Sequence, residues 1–347
     1  MINIGVIGCG YWGPNLIRNF NKTPGCRVAV CCDRDPARLQ RAESLFPGLP
    51  TTTDFNELLS ADLDAVAIAT PVWTHYPLAK TFLERGIHAF VEKPLTPSSN
   101  ECLALIDLAE REQKVLMVGH TFEYTAAVNK IKEIVQSGEI GEVLYINSTR
   151  VNLGLFQKDI NVIWDLAPHD ISIITYILDQ EPAAVNAHGR SHFAEGIEDV
   201  AMTTLHFEKG PIAFIRNSWI DPNKVRSMIF VGSRKMLVYD DVSPNEKIKI
   251  YDKGVERPAY YDDFGAFQFS YRYGDIYIPR IEEYEALGAE CGHFVDCIRA
   301  GETPRSDGYS GLRVIRTIEA ACRSLKSGGG SIPVLPVRTP ALAPLAS

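Results

Sequence analysis

Two rhythms of apolar and polar residues divide this chain. Up to about residue 120, short unbroken apolar runs alternate with stretches whose apolar residues recur every three or four positions. The runs are INIGVIG, RVAVCCD, DAVAIATP, HAFVEKP and VLMVGH. Unbroken runs of this length predict strands buried on both faces, with helices between them. SSNECLALIDLAEREQK shows the helical spacing: Cys102, Leu105, Ile106 and Ala109 share one face, and Ser98 with Glu101 forms a capping box. Asp35 followed by Pro36 marks another helix start. Strand and helix in alternation predict a doubly wound parallel sheet of the α/β class.

After about residue 123 the rhythm changes. A helix, AAVNKIKEIVQSG, leads into EVLYINSTRVNL, DVAMTTLHF, IAFIRNSW, SMIFVGS and KMLVYD, which alternate or meet through short polar turns such as EKGP. This predicts a large, mostly antiparallel open sheet. The helix WDLAPHDISIITYIL interrupts it, and two more helices are expected at about 283–300 and 309–327. The expected organisation is a dinucleotide-binding domain over 1–122, a second α/β domain over 123–334, and a Pro-rich tail over 335–347 that is disordered or an arm.

Composition narrows the function classes. The 347 residues are 46% hydrophobic and 22% charged, an ordinary globular balance long enough for two cores. A net charge of −8 argues against a nucleic-acid surface. No apolar run approaches the ~20 residues that cross a bilayer, and Met1 leads straight into a strand pattern without a signal peptide. The eight cysteines form no C-x-x-C pair and suit no zinc site. They read as reduced thiols in a cytoplasmic protein without a bound metal.

GVIGCGYWGPN places G-x-G-x-x-G, as Gly8, Gly10 and Gly13, between a strand and a helix, with Tyr11 and Trp12 inside the loop. Gly8 allows the tight turn, Gly10 the close approach of a pyrophosphate, and Gly13 close helix–strand packing. Asp33 ends the second strand, where an acid accepts the adenosine ribose hydroxyls. A carboxylate there repels a 2′-phosphate and favours NAD over NADP, although Arg34 beside it suits such a phosphate.

Lys93 raises a different question, because it ends the buried run HAFVEKP. Ligands of doubly wound sheets sit beyond the carboxyl ends of the strands, so Lys93 is expected in the nicotinamide crevice. Pro94 holds it extended and permits a cis bond. The plain alternative is a lysine snorkelling to the surface. In WDLAPHD, Asp165 and His169 are four apart and share a helix face. There a carboxylate can orient an imidazole that takes a proton. The structural alternatives are an N-cap for Asp165 and a satisfied core histidine for His169. Arg150, Asn152 and Asn161 precede that helix and are candidates for a substrate's diphosphate or acetamido group. The aromatic run AYYDDFGAFQFSYRYGDIYIP suits sugar or uridine stacking and a subunit interface equally.

Together these pieces resemble the glucose–fructose oxidoreductase, inositol dehydrogenase and rhizopine-catabolism family (Gfo/Idh/MocA). GVIGCGYWG, AIATPVWTHYPLA, VEKPLT, MVGH, Asp165 with His169, and HFVDCIRAGETPRSDGYSGLRVIRTIEAA carry the resemblance across nearly all of residues 1–334. It implies a Rossmann domain, a C-terminal domain whose open sheet forms a homodimer or homotetramer, and oxidation of a sugar or polyol hydroxyl or the reverse reduction. By the same resemblance Lys93, Asp165 and His169 are catalytic, and Thr70, Pro71, His75, Glu92 and His120 line the cofactor site. Many members carry a glycine pair just before the aspartate motif, where this chain has Ile163 and Trp164. That version resembles a branch that oxidises C3 of UDP-N-acetylhexosamines in surface-polysaccharide or lipid A synthesis.

The expected reaction is therefore NAD-dependent oxidation of C3 of a UDP-N-acetylglucosamine-type sugar. His169 takes the proton and Lys93 holds the oxygen as an ammonium, with the reverse assignment left open. Other readings are a free-sugar or inositol dehydrogenase, an NADPH-dependent ketosugar reductase, and a non-catalytic dinucleotide sensor.

Overall fold

The computed structural model describes residues 1–256 and 270–337, and divides the chain into two compact units. Among the described residues the first comprises 1–125, 284–316 and 336–337; the second comprises 126–256, 270–283 and 317–335.

The first unit begins β1 (Ile2–Ile7), α1 (Gly13–Lys22), β2 (Cys26–Cys32), α2 (Pro36–Leu45), β3 (Thr51–Thr52), α3 (Phe55–Ser60) and β4 (Ala65–Ile68). It continues α4 (His75–Leu83), β5 (His88–Glu92), α5 (Ser99–Arg111) and β6 (Leu116–Gly119). The strands form one parallel sheet in the order β3-β2-β1-β4-β5-β6. This is the expected doubly wound order, reversing between β1 and β4. The two helix starts read from the sequence are present: Asp35 accepts the Ala37 N–H at 2.9 Å, and Ser98 the Glu101 N–H at 3.3 Å.

Two features of this unit differ from expectation. Residues from Tyr284 to Arg316, expected in the second domain, belong to the first unit. The cause is packing: Phe294 of α8 (Ala286–Ala300) meets Phe20 and Phe90 at ring-centroid distances of 6.2 and 5.7 Å, all three fully buried. Glu285 at that helix's start pairs with Arg18 on α1. Second, the sulfurs of Cys9 and Cys31, expected as separate thiols, lie in contact; Cys26, Cys32, Cys102, Cys291, Cys297 and Cys322 are free. Adjacent parallel strands bring these two together, with Cα atoms 7.5 Å apart, wider than the usual bridge span. Chain spacing carries no trace of that contact.

The second unit opens with α6 (Ala126–Gln136), β7 (Val143–Leu153), α7 (Val162–Leu178), β8 (Pro182–Arg190), β9 (Val200–Phe207) and β10 (Ile212–Ser218). It goes on through β11 (Ile220–Gly232), β12 (Met236–Asp240), β13 (Ile248–Glu256) and β14 (Ser270–Tyr277). The chain then closes with α9 (Gly308–Lys326), shared between the units, and β15 (Ile332–Pro333). Among the described residues nine strands form one sheet, β14-β13-β12-β11-β7-β10-β9-β8-β15, antiparallel apart from the parallel β7–β10 pair. Its two faces differ. Ile146, Ala213, Ile215, Leu205 and Phe230 are buried, while Tyr145, Met202 and Phe214 on the other face are exposed. The first part of the aromatic run, 259–269, and the tail from 338 lie outside the described residues. Among the described residues no helix is long and apolar enough to cross a membrane.

Candidate active site

In the first unit, residues at the carboxyl ends of β1, β2, β4, β5 and β6 gather at one edge of the sheet. Gly8 has φ +99°, and a Cβ there would stand 2.5 Å from the Ala69 carbonyl oxygen. A Cβ on Gly13 would come within 2.1 Å of the Gly8 carbonyl oxygen. Both positions therefore exclude any side chain. Gly10 differs, since its Cβ would meet only Arg38 Nη1, at 3.8 Å. That space is open, which fits a group approaching the backbone from outside. Trp12 occupies the N-cap of α1 without a side-chain hydrogen bond to it, so the first-turn amides are left to an external anion. Tyr11 and Trp12 are exposed and meet edge to face at 5.3 Å.

Asp33 is buried at the end of β2. Its Oδ2 accepts the Cys9 N–H at 2.6 Å and its Oδ1 the Asp35 N–H at 2.9 Å. The carboxylate thus holds the glycine loop in shape, and its remaining lone pairs suit a ribose diol. Arg34 is exposed. Arg38, which the sequence reading missed, lies 3.7 Å from Asp33 and beside Gly10. Its only signal was a place one turn into the helix that Asp35 caps.

Thr70 is half-buried and Pro71 exposed beyond the end of β4. His75 is 1% exposed, with Nε2 2.8 Å from the Thr70 carbonyl oxygen and Nδ1 2.9 Å from that of Pro94. Burial pushes its pKa down, opposed by those two carbonyls. His75 therefore ties the β4 and β5 ends together. The Lys93–Pro94 bond is cis, and Lys93 is half-buried at the end of β5. Glu92 and His120 lie behind that end, 5% and 2% exposed.

In the second unit α7 carries the other motif. Asn161, not Asp165, is its N-cap, accepting the Trp164 N–H at 3.2 Å and donating to Glu198 Oε2 at 2.7 Å. Asp165 in the first turn instead accepts the Trp219 indole N–H at 2.9 Å. His169, one turn on, is half-buried. Pro168 inside the helix removes a backbone donor between them. Trp219 fixes the carboxylate and had no signal in the sequence, being 54 residues away. Arg150 pairs with buried Asp170 at 3.0 Å, and Ser148 and Asn217 also donate to Asp170, each at 3.1 Å. Asn152 is half-buried beside Gly154. Next to Trp219, Phe156 meets the indole at a tilt, with ring centroids 5.6 Å apart, and Phe193 edge to face at 5.1 Å. These two phenylalanines line a recess of about 440 Å³ with Gln157, Lys158 and Ile197.

Comparison with known proteins follows the same division. Residues 2–120 match the family described as "Oxidoreductase family, NAD-binding Rossmann fold", and residues 128–238 match the GFO/IDH/MocA C-terminal domain. The chain is 28% identical to inositol 2-dehydrogenase 2 of Saccharopolyspora erythraea, over 100% of this chain and 99% of that one. It is also 28% identical to UDP-N-acetylglucosamine 3-dehydrogenase of Acidithiobacillus ferrooxidans, over 90% of this chain and 93% of that one. The solved structure of that enzyme superposes with a TM-score of 0.76, at 24% identity, over 94% of this chain and 98% of that one. GenD2 from gentamicin A biosynthesis, solved in complex with NAD, superposes at 0.80 with 23% identity, over 96% and 97% of the two chains.

Proposed function

Since the chain belongs to the Gfo/Idh/MocA family of NAD-binding oxidoreductases, we propose that it oxidises C3 of a UDP-N-acetylglucosamine-type sugar. The observation that carries a dehydrogenase reading is Lys93, half-buried at the carboxyl end of β5 on the dinucleotide edge of the sheet. NAD, when bound, supplies the hydride acceptor. Gly10, the α1 N-terminus and Asp33 hold its pyrophosphate and ribose. Lys93 polarises the reacting oxygen as an ammonium. His169 takes the hydroxyl proton, and Asp165, steadied by Trp219, orients the imidazole and stabilises its charged form.

Two observations support a nucleotide sugar. One is similarity to a UDP-N-acetylglucosamine 3-dehydrogenase over 90% of the chain. The other is the Phe156–Phe193 recess beside Trp219, whose rings suit a planar base and whose Lys158 suits a diphosphate. The equal identity to an inositol 2-dehydrogenase supports a second reading, a free-polyol dehydrogenase. The exposed Tyr145, Met202 and Phe214 face supports a homo-oligomer built through the nine-stranded sheet of a cytoplasmic enzyme.

The test is NADH formation with purified protein, NAD and, in parallel, UDP-N-acetylglucosamine, its uronate, glucose and myo-inositol. Turnover of a UDP-sugar alone is the expected result. Turnover of myo-inositol or glucose instead would overturn the nucleotide-sugar reading and leave the dehydrogenase reading standing.

A further inference from the structure

Behind Lys93 the first unit buries more ionisable chemistry than a core needs. Glu92 ends β5, His120 follows β6, and Glu290 lies on α8; they are 5%, 2% and 0% exposed. The segment Gly119–His120–Thr121 links them. Gly119 pairs with Glu92 across the sheet, and a Cβ on Gly119 would stand 3.0 Å from Glu92 Oε2. The Thr121 hydroxyl donates to Glu290 Oε2 at 2.7 Å. The Lys93 N–H lies 3.3 Å from Glu92 Oε2. Among the described residues, four buried atoms in this cluster have no hydrogen-bond partner: Glu92 Oε1, Glu290 Oε1 and both ring nitrogens of His120.

A buried carboxylate whose second oxygen has no donor and no cation beside it costs several kcal/mol, so such an acid takes up a proton instead. Glu290, with only the Thr121 hydroxyl among the described residues, is that case, whereas Glu92 has the Lys93 charge to oppose protonation. A neutral acid is then itself a donor. We propose that Glu290 is a permanently protonated carboxylic acid whose O–H is directed, directly or through one bridging water, to the Glu92 carboxylate, the counter-charge of Lys93. Glu290 is thus a positioning residue for the reaction, a role that rests on the assignment of Lys93 to the reacting oxygen.

The electrostatics agree with this geometry. Burial pushes Glu290 well above the usual carboxylate range, and the Glu92 charge adds to it, while Thr121 opposes. Glu92 is raised to about 7, first by burial, with Lys93 opposing through its charge and its N–H. His120 is held neutral, lowered to about 3 by burial, then by Lys93 and Arg313. The other titratable groups facing the pair are Glu123 and Tyr124 after β6 and Cys291 on α8. The two acids therefore titrate apart: Glu92 changes charge near neutrality while Glu290 stays neutral.

Infrared spectroscopy of the resting protein at a series of pH values, without substrate and read as wild type minus variant, tests this. The expected wild-type spectrum keeps one protonated-carboxyl stretch at pH ~8, above the Glu92 midpoint, that is missing in Glu290→Gln. A second stretch grows as pH falls through about 7 and is missing in Glu92→Gln. The amide of Glu290→Gln still donates, so the Glu92 midpoint should stay near its wild-type value. Glu290→Leu cannot donate, and that midpoint should rise by about one to two pH units, the size of a hydrogen bond to a charged group. The acid limb of kcat should move with it in Glu290→Leu and stay in Glu290→Gln. Absence of a protonated carboxyl in the wild-type protein above neutral pH, or equal midpoints in the Gln and Leu variants, would overturn the proposal. The wild-type spectrum decides even where a variant does not fold, and it reads the buried acids whether or not the substrate assignment holds.

Discussion

Single residues carry the sharpest expectations. Lys93→Ala removes the only group assigned to hold the reacting oxygen, while the glycine loop and Asp33 remain. Its kcat should fall by about 10²–10⁴-fold, with NAD affinity by titration calorimetry changed by no more than about two-fold. A variant that keeps most of its kcat would remove Lys93 from the chemistry. Gly8→Ala tests the loop itself. Its φ of +99° and the 2.5 Å approach to the Ala69 carbonyl leave no place for a methyl group. Urea unfolding should show a loss of about 1–3 kcal/mol, together with weaker NAD binding. Unchanged stability and affinity would mean that the turn can relax around a side chain. The glycines were legible in the sequence because their need is local. Arg38 and Trp219 were not, since each acts on a group that folding brings to it.

At the scale of the element, His88 shows how a strand end couples to pH. Its Nδ1 accepts the Val115 N–H at 2.9 Å, joining the start of β5 to the residue before β6. Burial and then the Lys114 charge lower its pKa from 6.5 to about 4. The unfolded chain therefore binds a proton near 6.5 that the folded one resists until about 4, so stability is lost as pH falls through that window. Comparing denaturation midpoints of wild type and His88→Gln from pH 7 down to 4 isolates this effect. The variant's curve should be flatter, and parallel curves would show that His88 titrates normally. The elements themselves were readable where one rhythm ran without interruption, as in β1, β5 and α5. β8, with small residues and His188, carried no such rhythm, and in β13 the alternation of Ile248 and Ile250 with lysines is too short to stand out. The parallel β7–β10 pair inside an antiparallel sheet was also invisible, because strand direction depends on the path between strands.

For the molecule as a whole, the organisation of the first unit matters most. Its core includes Phe294, 204 positions after Phe90, and all three phenylalanines of that contact are fully buried. Phe294→Ala should cost about 3–5 kcal/mol in urea unfolding, and NAD binding should weaken in step. A fragment covering 1–125 alone lacks α8 and should not give a cooperative unfolding transition. A stable fragment that binds NAD would show that α8 is an accessory, not a part, of this core.

What the sequence determined by itself was everything set by near neighbours. That includes the order and kind of most elements, the glycine loop, the caps at Asp35 and Ser98, and the two-rhythm division of the chain. Each follows from a steric or hydrogen-bonding need within a few residues. Tertiary structure alone decided which distant groups share an enclosure. It placed α8 against α1, brought Cys9 against Cys31, gave Asp165 an indole donor, matched Arg150 to Asp170, and set Glu290 near Glu92. The physical reason is that burial and charge pairing depend on distance in space, and a chain that doubles back from residue 284 hides that distance from any local pattern.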